Sequence, residues 1–327
     1  MRNILITGGA GFIGFHLAEE LSRDGTDHVV LLDSLVRGRR DADLEGVLRR
    51  ANVKLVEGDV TDRSVWDKVG GPFDEVYHLA AVIGVRHVLE RPHDVVRVNA
   101  LGTLDLLDWF GRQKGGKLVF ASTSEVYAWT QQFHPLPVPT PEAIPLSLTD
   151  LSNPRSSYAG SKMFGELAVT HIAGKAGKPF SIVRYHNVYG LRMGFEHVIP
   201  EVFRRVTEKQ HPLVVYAAEH RRAFCHVSDA VAGTVLAMRH RAADGGTFNL
   251  GNDEQEIRMA DLARAILQWA KVEVPLQEQP APHDPIARRC PDITRARQVL
   301  GYAPRINLEE GLRRTLPWYA AHYGWTS

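Results

Sequence analysis

The chain has 327 residues, 44% of them hydrophobic and 24% charged, with a formal net charge of +1. That is enough apolar chain for one large core or two smaller ones, and the near-neutral balance leaves no global field to draw nucleic acid, the basic runs at 37–40 and 220–222 reading as solvated loops. Two distant cysteines, Cys225 and Cys290, fit a reducing compartment rather than a disulfide framework; with no bilayer-length apolar run and a start that runs straight into a strand rather than a signal peptide, a cytoplasmic protein without membrane or nucleic-acid partner is expected.

The first strand, "NILITG", leads into "TGGAGFIG", where Gly8, Gly11 and Gly14 open a helical pattern over 12–24. Strand, glycine turn and helix in that order are the setting of a dinucleotide fingerprint. Gly8 allows the tight turn, Gly11 lets backbone approach a pyrophosphate, and Gly14 lets the helix pack on the strand. The helix start, at Phe12 and Ile13, offers N–H groups and a positive dipole end to phosphates. The second strand, "HVVLLD", closes on Asp33, nineteen residues after Gly14, near the spacing for a carboxylate that bonds the adenosine ribose. A carboxylate there repels a 2′-phosphate and favours NAD(H) over NADP(H); Arg37, Arg39 and Arg40 are a counter-signal. "VKLVEGD" is the third strand, ending where an adenine can rest against Asp59 and Val60. A helical pattern over 63–69 follows, then "EVYHLAA", whose end at Leu79, Ala80 and Ala81 lets backbone approach the cofactor. His78 reads as a packed histidine, not a catalyst. Asn99, on a helical pattern over 92–113, completes the cofactor-binding set.

The fifth strand, "KLVFAST", ends in polar residues: Ser122, Thr123, Ser124, Glu125. The carboxyl edge of an open α/β sheet is where ligands bind. After a Pro-, Ser- and Thr-rich loop over 130–155 comes "SSYAGSKMFGE", with Tyr158 and Lys162 four residues apart. That spacing is about one helical turn, so both side chains share a face. An ammonium beside a phenol lowers the phenol's pKa towards neutrality. Tyr158 is then a general base for an alcohol or sugar hydroxyl, with Thr123 holding the reacting oxygen and Lys162 also reaching the nicotinamide ribose. "FSIVRY" is a sixth strand. Apolar strands alternating with helices predict an α/β fold, a doubly wound parallel sheet of the Rossmann type. Past Tyr185, helical patterns at 200–209, 228–240, 259–269 and 308–323 mix with short strands such as "TFNLG". This part reads as a smaller C-terminal α/β cap. The expected division is an NAD-binding domain over 1–185, with returning segments near 223–251, and a mainly substrate-binding domain over 186–327.

Together, Gly8/Gly11/Gly14, Asp33, Thr123, Tyr158 and Lys162 resemble the extended short-chain dehydrogenase/reductase family, the NAD-dependent nucleotide-sugar epimerases, dehydratases and decarboxylases. "RYHNVYGLRMG" is similar to its R-x-x-N-x-x-G-P-R segment, with Leu191 in place of proline. "RRAFCHVSDAV" resembles its R-x-F-x-x-V-x-D segment, and "RRCPDITRARQVLGYAP" its C-terminal substrate-closing segment. The resemblance implies a tightly held NAD, a nucleotide-sugar substrate, no metal, and a homodimer joined through the helices beginning near Pro92 and Ser157. It implies substrate contacts for Asn187, Arg192 and Arg222, with Ser124 and Glu125 at the sugar. Arg289 matches an arginine near the sugar carboxylate in the decarboxylases; gripping the nucleotide phosphates is its other reading.

Thr123-Ser124-Glu125 resembles the T-S-E of sugar-nucleotide decarboxylases, and Ser124 disfavours 4,6-dehydration by replacing that reaction's aspartic acid. "YAGSK" resembles the Y-A-x-S-K of epimerases. Epimerisation through a transient keto-sugar is the first reading, and UDP-glucuronic acid decarboxylation, as in a UDP-xylose synthase, the second. A net oxidoreductase and a non-catalytic NAD-binding sensor are further readings, the sensor disfavoured because Tyr158 and Lys162 are both present.

Overall fold

The structure is a computed structural model and describes residues 1–130, 133–280 and 286–325. Seven strands form its central sheet: β1 (Asn3–Thr7), β2 (His28–Asp33), β3 (Val53–Glu57), β4 (Glu75–His78), β5 (Lys117–Thr123), β6 (Phe180–Tyr185) and β7 (Gly246–Leu250). Their order across the sheet is β3-β2-β1-β4-β5-β6-β7. Every neighbouring pair is parallel. The order reverses between β1 and β4, and in open α/β sheets the crevice at such a point takes the ligand.

The strands form because their runs are apolar on both sides. Ile4 and Ile6 belong to the core on one face, with Phe15, Leu31, Tyr77 and Val231. Leu5, between them, belongs to the core on the other face, with Leu32, Val76, Leu106, Phe110, Leu118 and Phe120. Successive strand residues point to opposite faces, so a sheet covered on both sides needs an unbroken hydrophobic run.

A third core lies among the helices Val198–Thr207, Met259–Ala270 and Leu308–Tyr323, around Ile199, Phe203, Leu262, Ile266, Leu312 and Leu316. Short strands accompany it. Arg221–Ala223 pairs on one side with Glu256–Arg258 and on the other with Arg288–Arg289. The helical patterns of the sequence appear with ends shifted by a few residues. Three short helices escape periodicity: Ala42–Leu48, Val85–Glu90 and Thr294–Leu300. Each has at most two turns, too few to repeat a 3.6-residue pattern. The described part of the 130–155 loop is irregular up to the helix Ser156–Ala168. Among the described residues no helix is long and apolar enough to cross a membrane, and no cluster of acidic, histidine and cysteine side chains could hold a metal ion.

Candidate active site

The glycine turn sits at the switch point. Gly8 has φ 71° and donates its N–H to Leu32 O at 2.8 Å. A Cβ on Gly8 would stand 2.7 Å from the Ala80 nitrogen, and one on Gly14 would stand 2.1 Å from Gly8 O. Both positions therefore require glycine. The helix Phe12–Leu21 starts at Gly11 without a side-chain cap, which keeps its first N–H groups, at Phe12 and Ile13, for a ligand. Asp33 ends β2 beside this turn. Its carboxylate accepts from Ala10 N at 2.9 Å and from Leu35 N at 2.8 Å. Burial raises its pKa, against the pull of those N–H groups. Along the basic run, Arg40 pairs with Glu45 at 2.7 Å, the Arg39 guanidinium lies 4.3 Å above the Phe195 ring, and Arg37 lies near Glu196 and Tyr158. A small-residue cradle, uncapped helix donors and a ribose-side carboxylate together fit a dinucleotide.

The rest of the expected cofactor set divides. Ala80 donates its N–H to Thr7 Oγ1 at 3.2 Å, and Leu79 donates its N–H to Thr7 O at 3.1 Å, so 79–81 runs beside the glycine turn. Val60 is buried against Gly102. Asp59 is exposed and spends its carboxylate on the Thr61 N–H and hydroxyl, at 2.8 and 2.9 Å, which makes it a turn residue. Asn99 bonds both main-chain groups of Val82 and the Ser161 hydroxyl, so it braces the β4 exit against the Tyr158 helix. His78 is packed between Thr7 and Thr103, and burial pushes it down to about 3.

At its carboxyl end β5 delivers Thr123, and a short 3₁₀ turn, Ser124–Tyr127, follows. Thr123 Oγ1 caps that turn through the Glu125 N–H at 3.2 Å and also hydrogen-bonds the Tyr158 phenol. Tyr158 and Lys162 share the helix Ser156–Ala168. Their electrostatics differ from the sequence expectation. Lys162 is 4% exposed and donates to Ala121 O at 2.7 Å. Burial lowers its pKa to about 8, against the pull of Glu166. The Tyr158 phenol is raised, not lowered: burial and the nearby Glu125 carboxylate disfavour the phenolate more than Thr123 and Arg37 favour it. Glu125 forms an ion pair with Arg289, which arrives on the strand Arg288–Arg289. Beside that pair is a cleft lined by Ser124, Tyr127, Ala128, Thr140, His186, Ile286, Arg289 and Cys290.

Arg192, expected at the substrate, is placed differently. It pairs with Asp41, stands 3.8 Å from Asp43, and stacks 4.1 Å from the Phe15 ring centroid. It thus braces the loop after β2 against the first helix, outside the cleft lining. Asn187 donates to Ala223 O at 3.0 Å, and Arg222 donates to Ile286 O at 2.7 Å. In the structure both hold backbone, and Ile286, the acceptor of Arg222, lines the cleft.

A family model, the NAD dependent epimerase/dehydratase family, matches residues 4–251. The chain belongs to that family. NAD is its cofactor, and the cradle of Gly8, Gly11 and Asp33 is where the family's cofactor fits this chain. The chain is 32% identical to a UDP-N-acetyl-alpha-D-glucosaminuronate decarboxylase of Bacillus cytotoxicus, across 97% of this chain and 98% of that one. It is 31% identical to UDP-glucuronic acid decarboxylase 1 of Arabidopsis thaliana, across 95% of this chain and 68% of that one. A dTDP-glucose 4,6-dehydratase double mutant of Streptomyces venezuelae, solved with NAD, superposes with a TM-score of 0.87 at 26% identity, across 99% of this chain and 98% of that one.

From the helix of Tyr158 and Lys162, in this member of the epimerase/dehydratase family, starts a buried polar network that sequence reasoning missed. Glu166 accepts from Ser122 Oγ at 2.5 Å and from Arg184 Nε and Nη2 at 2.8 and 2.6 Å. Arg184 Nη1 donates to the Tyr127 hydroxyl at 2.7 Å, which donates to Asn249 Oδ1 at 2.8 Å. Two signals for it were in the sequence. Glu166 follows Lys162 by four residues on one helix face, and Arg184 is a charge inside the otherwise apolar strand "FSIVRY".

Proposed function

We propose that the chain is an NAD-dependent decarboxylase of a nucleotide-linked uronic acid. The observation that carries this reading is the Glu125–Arg289 ion pair at the end of β5. A guanidinium already holding one carboxylate is built to take another, since its planar fork matches two oxygens. The decarboxylase relatives at 31–32% identity support it and move decarboxylation ahead of epimerisation, which the sequence alone ranked first. Epimerisation stays as the second reading because Tyr158-Ala159-Gly160-Ser161-Lys162 has the epimerase form.

Bound NAD supplies a hydride acceptor, which is the chemistry that makes the neighbouring carboxylate of the sugar labile. The chain's own residues do the rest. Tyr158 takes the proton of the reacting hydroxyl, Thr123 holds that oxygen, and the charge on Lys162 favours the phenolate. The raised phenol is suited to this only with compensating positive charge nearby, so the base works in the loaded site. Arg289 orients the substrate carboxylate, CO2 departs leaving its electron pair on the sugar, and that carbon takes a proton from a water that the Glu125 carboxylate orients; Tyr158 then gives its proton back to the oxygen as the hydride returns to the ring. Ser124 and Asn187 contact the sugar, and Arg222 shapes its edge.

The reading extends to assembly and location. Val96 and Leu101 on the helix Pro92–Arg112, and Phe164 and Leu167 on Ser156–Ala168, are exposed apolar side chains on two helices packed together. They support a homodimer joined through that pair, and sedimentation should give the mass of two chains. Two buried free cysteines accord with a cytoplasmic protein.

The test is incubation with UDP-glucuronic acid and with neutral UDP-sugars, followed by mass spectrometry and NMR of the products. Loss of the mass of CO2 from the acid, abolished in Arg289→Met, is the expected result. Unchanged mass with an inverted stereocentre would replace decarboxylation with epimerisation.

A further inference from the structure

His186 follows β6 by one residue and is 2% exposed. Its Nε2 lies 3.0 Å from Asn249 Oδ1. The tautomer follows from the network around it. Asn249 Nδ2 donates to two carbonyls, Thr140 O at 3.0 Å and Asp292 O at 3.1 Å, which fixes the amide orientation. Asn249 Oδ1 is then an acceptor, so the Nε2 of His186 carries the proton and donates. Burial, with Arg184 and Arg289 nearby, pushes the imidazole down to about 4, so the ring is neutral. Its other nitrogen, Nδ1, therefore presents a lone pair. That atom is fully buried and has no hydrogen-bond partner among the described residues, and the ring lines the cleft that also holds Ser124 and Arg289. A buried polar atom without a partner costs stability unless something bonds it.

We propose that His186 is a specificity-determining residue whose Nδ1 accepts a hydrogen bond from a donor on the substrate's sugar, a hydroxyl or an acylamino N–H. The proposal rests on the reading of a nucleotide-linked sugar as substrate. It gives the cleft a defined chemistry: Arg289 faces an anion, and His186 faces a donor. A site built to accept from a substrate group discriminates strongly against an analogue lacking it.

Two substitutions separate the two ring nitrogens. In His186→Asn the amide oxygen reaches the position of Nδ1 but no group reaches Asn249. In His186→Gln the amide reaches the position of Nε2, keeping the Asn249 bond and losing the Nδ1 acceptor. Binding of UDP, UDP-glucuronic acid and UDP-N-acetylglucosaminuronic acid to the NAD-loaded protein is measured by calorimetry. His186→Gln should weaken UDP-sugar binding about tenfold and leave UDP unchanged, while His186→Asn stays within about threefold of the parent. A loss confined to the acetamido sugar identifies the N–H as donor; a loss that includes UDP-glucuronic acid identifies a hydroxyl. If Gln matches the parent and Asn does not, or if UDP weakens as much as the sugars do, His186 is only a brace for Asn249 and the proposal falls. A parent protein that binds neither sugar nucleotide more tightly than UDP also overturns it. The mass of the product made by the parent protein reports the reaction class separately, so failure of decarboxylation is not confused with failure of the His186 contact.

Discussion

Replacing Glu166 by glutamine tests whether the buried network supports the helix that carries Tyr158 and Lys162. The carboxylate is 8% exposed and Arg184, its partner, 5%. It takes three hydrogen bonds, from Ser122 at 2.5 Å and from two guanidinium nitrogens at 2.8 and 2.6 Å. Glutamine keeps the shape but removes the charge and strands a buried guanidinium. Breaking a buried pair from one side costs about 3–5 kcal/mol, a large share of the roughly 5–15 kcal/mol of a typical domain. Replacing both partners, as Glu166→Gln with Arg184→Met, removes the stranded charge and should recover part of that loss.

The same substitution has an electrostatic signature. Lys162 sits at about 8 because burial lowers it while Glu166 raises it. Without Glu166 the lysine falls further. It is charged below its pKa and loses that charge as pH rises through it, so the alkaline limb of the kcat profile should move to lower pH. Urea unfolding and a pH–rate profile read the two effects. A loss under about 1 kcal/mol, or a double variant no more stable than the single one, would refute the account of Arg184 as a stranded charge. An unmoved alkaline limb would refute the link to Lys162.

Tyr158→Phe should lower kcat by about 10²–10⁴-fold with NAD affinity retained; turnover near the parent's would remove Tyr158 as the base. Asp33→Ala should weaken NAD binding about tenfold or more, read by NADH fluorescence, because a charge-assisted bond to the ribose is lost; unchanged affinity would place the ribose elsewhere. The buried histidines predict acid sensitivity. His78 is held at about 3 and His186 at about 4, both below the ordinary 6.5. As pH falls below 6.5 the unfolded chain takes protons that the folded one refuses, so stability falls from about 6.5 down to about 4 for His186 and about 3 for His78, by about 2 kcal/mol per histidine at pH 5. Urea midpoints at pH 7 and pH 5 measure this, and His78→Gln should make the slope shallower; an unaltered slope would mean that His78 charges in the fold.

The features legible in the sequence are those written in local spacing. Gly8, Gly11 and Gly14 share one turn, Asp33 closes a continuous apolar run, and Tyr158 and Lys162 share one helix face. The six strands β1 to β6 were visible because a doubly covered sheet calls for nearly continuous apolar runs. What was not legible depends on which elements the topology brings together. Tyr127 meets Asn249 across 122 positions and Arg192 meets Asp41 across 151. No local pattern reports such pairs. Arg192 shows the consequence: a family motif suggested the substrate, and only the packing of the 34–43 loop reveals its acidic partners. The Tyr158 phenol is the other case. Spacing puts an ammonium one turn away, but the chain curls that ammonium onto Ala121 O and sets Glu125 nearby, and burial then decides the direction of the shift.

The polar end of β5 has a physical logic that joins these observations. Alternation along a strand sends successive side chains to opposite faces. Ser122 therefore turns inward to Glu166, and Thr123 turns to Tyr158. The chain then leaves the strand as a 3₁₀ turn, which redirects Ser124 to the cleft and Glu125 to Arg289. Four consecutive polar residues thus serve four different partners, and none is interchangeable with its neighbour. A one-residue slip in this segment would put the Ser124 hydroxyl where the ion pair is and Ala121 where Ser122 meets the buried network. The exit from β5 thereby joins the buried network to the cleft and its ion pair.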